Sequence, residues 1–147
     1  MDKEQLKGFN LPESYIKFLS ENETNNICYF FNTENVKDID GGEEYTFWGQ
    51  KALFAKSYSP NFHNFEYLSN EEIYYKSIEF SGEGLSKSEI QKSFVIGKDE
   101  GGGFIFINHI DGDLWLLYDD LFIKKLASSF DFFLDNSEFS EKVAIQN

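Results

Sequence analysis

Three short apolar runs, separated by connectors rich in glycine and aspartate, constrain this chain most. They are Ser93 to Gly97 (SFVIG), Phe104 to Ile107 (FIFI) and Leu114 to Tyr118 (LWLLY). Each is shorter than a typical buried helix, and β-branched and aromatic residues suit a pleated surface. The connectors carry Gly101-Gly102-Gly103 and Asp111-Gly112. Asp-Gly is a hairpin signal, and glycine supplies the positive φ that a tight connection needs. The pattern predicts a meander of three antiparallel strands.

The flanking segments have other periods. Asn10-Leu11-Pro12-Glu13 reads as a helix start, with Asn10 as cap, Pro12 in the first turn and Glu13 at the positive end of the dipole. Leu11, Tyr15, Phe18 and Leu19 then recur on one helical face. Ile27 to Phe31 reads as a strand, and Val36 to Ile39 as a second short one. Glu44 to Trp48 reads as a strand with Tyr45 and Phe47 on one face. Gln50 to Lys56 reads as a helical turn, Phe65 to Leu68 as a short extended piece, and Ser69 to Phe80 as a helix with acids in its first turn. Ser86 to Lys92 reads as a loop or one turn of helix. Leu121, Ile123, Leu126, Ala127, Phe130, Phe133 and Leu134 suit one amphipathic helix, and Glu138 to Asn147 reads as a polar, fraying tail.

The chain has 147 residues, with 17 Phe, 8 Tyr and 2 Trp among them. Rings bury much area each, so this length supports one hydrophobic core without a disulfide or metal staple. No repeat, proline-rich linker or composition break divides it. The expected fold class is α+β, a mainly antiparallel sheet flanked by N-terminal and C-terminal helices. It is read as a single domain over 1–147, with its core over 10–136.

Charge narrows the function classes. Thirteen lysines and no arginine face 26 acidic residues, a formal charge of −13. Such a field repels phosphate backbones and anionic lipids, so neither nucleic acid nor membrane is an expected partner. It favours encounter with basic proteins. The start, Met1-Asp2-Lys3-Glu4-Gln5, lacks an apolar signal region, and no apolar stretch has the length of a membrane span. The expected location is the cytoplasm.

Few residues carry catalytic or metal chemistry. Cys28 lies in an apolar run and reads as a buried structural thiol. His63 and His109 show no zinc-like spacing with it. Asp38 to Glu44 and Asp111-Gly112-Asp113 lack the ligand order of a calcium loop and read as turns. Gly101-Gly102-Gly103 lacks the Gly-Lys-Ser/Thr of a phosphate loop, and Asp99 and Glu100 beside it would repel phosphate. No metal, no cofactor and no enzymatic activity are expected.

Leu11-Pro12-Glu13-Ser14-Tyr15-Ile16-Lys17-Phe18-Leu19 resembles the opening helix of the SMI1/KNR4 (SUKH) family. Phe94 to Ile107 (FVIGKDEGGGFIFI) resembles its central signature, a strand leading through an acidic glycine-rich turn into a hydrophobic strand. Ala127 to Leu134 (ASSFDFFL) is similar to its closing helix. The Asn-Gly pair that often follows the first helix is absent here, and Asn108 stands where an Asp often follows the glycine-turn strand. The resemblance spans residues 10 to 136. It implies an α+β fold and, in bacteria, a cytoplasmic immunity protein of a polymorphic toxin system that neutralises a cognate toxin, often a nuclease. A lysine-only basic set with many Asn, Ile, Phe and Tyr residues points to an AT-rich, bacterial genome.

The expectation is a non-enzymatic, toxin-neutralising binder whose carboxylates stand where a nuclease expects phosphates. Candidate contacts are the acids near turns, Glu43, Glu44, Asp99, Glu100, Asp111, Asp113, Asp119 and Asp120, with Trp48, Tyr74 and Tyr75 as anchors. The plain alternative is that each acid is a solvated turn residue and each ring belongs to the core. Two other functions compete. One is a regulatory or scaffold module without a toxin. The other is a small hydrolase or ligand-binding protein using a carboxylate or His109.

Overall fold

The computed structural model describes residues 6, 9–31, 42–55, 85–118 and 123–145. Seven strands form one sheet: β1 (Asn25–Phe31), β2 (Glu43–Phe47), β3 (Phe94–Asp99), β4 (Phe104–Ile107), β5 (Leu114–Leu117), β6 (Ile123–Ala127) and β7 (Glu138–Ala144). Their order is β6-β5-β4-β3-β2-β1-β7, and every neighbouring pair is antiparallel. The described helices are α1 (Glu13–Glu21), α2 (Gln50–Leu53), α3 (Lys87–Gln91) and α4 (Phe130–Asn136). The expected α+β class holds.

The meander forms as the apolar runs predict. Phe94 pairs with Ile107, and Ile107 with Leu114, so β3, β4 and β5 lie side by side. Gly102 has φ +89° in the first connector, a conformation that costs residues with a Cβ. Gly97 answers a different need. A Cβ there would stand 2.1 Å from the Thr46 carbonyl oxygen, so only glycine lets β3 close against β2.

Helices α1 and α4 cover one face of the sheet. Tyr15 and Phe18 of α1 set their rings 5.3 and 5.6 Å from Phe130 of α4. Phe47 of β2 lies 5.4 Å from Phe130 and 4.9 Å from Phe133, both ring edges meeting at steep angles. Such edge-to-face pairs add about 0.5–1.5 kcal/mol each beyond their buried area. Tyr45 and Phe47 are buried on this face, as the alternation of β2 predicts.

The structure departs from the local expectations at three places and decides between two readings at a fourth. Asn10 does not cap α1. Pro12 occupies the cap position with no side-chain cap bond, and the Asn10 amide donates to the His109 carbonyl at 3.2 Å. Of the two readings for Ser86 to Lys92, the helical one holds, because Ser86 and Glu89 satisfy each other's backbone N–H groups in a capping box. The stretch from Leu121 to Leu134 is not one helix. Ile123–Ala127 is strand β6, which supplies hydrogen-bond partners to β5, whose four residues are all buried. The helix begins only after Ser129, whose backbone is extended and whose Oγ accepts the Phe132 N–H at 2.9 Å. Finally, the tail is β7, which pairs with β1 from Asn25↔Ala144 to Phe30↔Glu138. The pieces read at Val36 to Ile39, Phe65 to Leu68 and Ser69 to Phe80 lie outside the described residues.

Candidate partner-binding surface

The candidate residues fall into separate places. Glu43 is exposed at the start of β2, and its Oε2 accepts the Tyr45 hydroxyl at 3.1 Å. Glu44 is half-buried and accepts the Ser140 hydroxyl from β7. Glu100 is exposed in the β3–β4 turn. Asp99 stands opposite Tyr45 across β2–β3, and burial first, then the charges of Glu43 and Asp99, drive the Tyr45 phenol far above the ordinary tyrosine range. These acids therefore share one end of the sheet.

Asp111 and Asp113 sit in the β4–β5 turn, at the other end of β4. Asp111 is exposed and its Oδ1 accepts the Asp113 N–H at 2.9 Å, a turn-forming bond. Asp113 pairs with Lys125 of β6 at 3.1 Å. An antiparallel meander puts successive turns at opposite ends, so these two groups of acids do not form one surface. Tyr74, Tyr75, Asp119 and Asp120 lie outside the described residues.

Two candidates expected at the surface are buried. Trp48 is 2% exposed and packs near Phe104, with ring centroids 6.3 Å apart. It follows β2 directly, where the chain turns into α2, and its ring belongs to the core. Asp99 is 7% exposed. Its Oδ1 accepts the N–H groups of Gly101 at 3.0 Å and Gly103 at 2.7 Å. This carboxylate builds the glycine turn from inside, which is why an acid stands there.

A different surface emerges from strand register. Phe30 faces Glu44 across β1–β2 and Glu138 across β1–β7. Cys28 faces Thr46 on one side and Glu141 on the other. Side chains alternate along a strand, so this row points away from Tyr45 and Phe47, opposite to α1 and α4. Cys28 Sγ and the Glu44 and Glu141 carboxylates lie within 4.8 Å of one another, the group among the described residues whose atoms can surround a metal ion. Burial, then the charges of Glu44 and Glu141, push the Cys28 thiol up, while hydrogen bonding to Thr46 at 3.3 Å pulls it down. Cys28 is buried and free, as its apolar run predicts.

Sequence reasoning missed Phe30, Glu138 and Glu141. In the sequence Phe30 is one residue of an apolar run, and the acids of β7 lie in a polar tail. Phe139 and Val143, spaced by an even number among polar neighbours, are the sequence signal for a strand there. Among the described residues, no helix is long and apolar enough to cross a membrane.

Antiparallel strands with helices packed on one face and acidic residues in the turns define an α+β protein. The chain belongs to the SMI1 / KNR4 family (SUKH-1), whose family model matches residues 2–136. Neither a search of curated proteins nor one of solved structures found a match.

Proposed function

We propose that this protein is an immunity protein, which binds a cognate bacterial toxin and neutralises it by protein–protein contact rather than by catalysis. Membership of the SMI1 / KNR4 family supports this reading. The observation that carries it is uncompensated surface charge. The chain bears −13, and among the described residues only Lys17–Glu21 and Lys125–Asp113 approach as ion pairs. Exposed Glu43, Glu100 and Asp111 thus present their charge to solvent. A toxin that acts on nucleic acid needs a basic cleft, and such a cleft is attracted by this field. The partner is therefore a basic protein, a nuclease-type effector. Glu43, Glu44 and Glu100, which share one end of the sheet, are the contact acids among the described residues.

Co-expression with the C-terminal domain encoded by the neighbouring gene tests this, scored by survival and co-purification. Rescue with a stable complex is expected. Failure to rescue from any adjacent toxin domain would move the assignment to a regulatory binding module.

A further inference from the structure

The β2–β1–β7 face opposite the helices combines features that acidity alone does not explain. Phe30 is 38% exposed on it and Val143 41% exposed. Register spaces them along β1: Phe30 stands beside Glu44 and Glu138, while Val143 stands opposite Asn26. Glu141 lies between, opposite Cys28. The Glu44 and Glu141 carboxylates converge over the buried Cys28 sulfur within 4.8 Å. Neither forms an ion pair among the described residues. Lys98 of β3 stands opposite Thr46, on the same face but one strand further in.

We infer that this face is the docking surface for the basic partner, with Glu44 and Glu141 seating one arginine side chain between Phe30 and Val143. The inference rests on the immunity reading and adds where the toxin binds. Two carboxylates at this spacing suit a planar guanidinium, whose separate N–H groups reach one oxygen on each side. A compact ammonium has no such fork. The Ser140 hydroxyl holds Glu44 in place, so little ordering remains to be done on binding. The flanking apolar side chains shield the ion pair from water and supply contact area.

The test uses the full chain and the neighbouring gene's toxin domain, with rescue and affinity as readouts. The double reversal Glu44→Lys with Glu141→Lys should abolish rescue and weaken affinity at least about 30-fold. Phe30→Ser should weaken it as well, and circular dichroism melts should show both variants folded. Asp131→Lys with Asp135→Lys makes the same charge change on exposed positions of α4, on the opposite face, and should leave rescue intact. If wild type rescues and the face variants rescue equally, this surface is wrong while the immunity reading stands. If the complex forms only with added zinc and dissolves with chelator, the carboxylates and Cys28 hold a metal and the arginine seat is overturned. If wild type rescues from no adjacent toxin, both readings fall together.

Discussion

The Asp99 carboxylate accepts the Gly103 backbone N–H at 2.7 Å, bridging the two ends of the turn from β3 to β4. The same oxygen takes the Gly101 N–H, and Asp99 N–H donates to the Gly103 carbonyl at 3.0 Å. An acid that sequence reasoning offered to a partner is thus engaged inside the protein. Asp99→Ala strands these N–H groups and should cost about 2–3 kcal/mol in denaturant unfolding. Asp99→Asn keeps one acceptor and should cost less. Equal stability of Asp99→Ala and wild type would refute this role.

Tyr15 carries a hydroxyl with no hydrogen-bond partner among the described residues, in a ring that is wholly buried. Tyr15→Phe should therefore match wild type at neutral pH or exceed it by about 1 kcal/mol. Burial raises the Tyr15 phenol well above its ordinary range. The folded state then keeps the neutral form while the unfolded chain ionises above about pH 10. Stability is fully present below that value and falls as pH rises beyond it. Tyr15→Phe should lessen that alkaline loss, as melts between neutral and alkaline pH would show.

Cys28 should react slowly. Only a thiolate is a good nucleophile, and the thiol is both buried and raised above its ordinary range. Alkylation of the native protein at pH 8 should be at least about tenfold slower than in denaturant. Comparable rates, followed by mass spectrometry, would contradict the burial.

β7 should be needed for a soluble fold. Removing residues 138–147 uncovers the outer edge of β1, which carries Phe30 and Tyr29, and an apolar open edge invites aggregation. The truncated chain should melt lower and elute as larger species on size exclusion. A monomer of unchanged stability would argue against the β1–β7 pairing.

Association with a basic toxin domain should depend on salt. With a charge of −13, long-range attraction speeds encounter until ions screen it over about 10 Å at 0.1 M. The association rate should fall about tenfold or more between low and high salt. A flat rate in stopped-flow measurements would place the affinity in apolar contacts alone.

Local patterns sufficed where neighbouring residues decide the structure. The runs at Ser93, Phe104 and Leu114, the glycines at their turns and the alternation of Tyr45 and Phe47 all predict what forms, because strand and hairpin preferences act over a few residues. The motifs at Leu11 and Phe94 likewise point to the family that matches. Leu121 to Leu134 shows where this stops. Its apolar spacing suits a helix, but β5 requires a backbone partner, and tertiary pairing outweighs a weak local preference. The same holds for Glu138 to Ala144, a polar segment that becomes a strand because β1 lies beside it. Trp48 and Asp99 were misplaced for a related reason: burial depends on what the rest of the chain packs above a residue. The sequence by itself determined class, family and net charge, which are sums over composition and short patterns. Only the tertiary structure decided which acids share a surface, since strand order sets Glu44 of β2 and Glu141 of β7 on either side of β1.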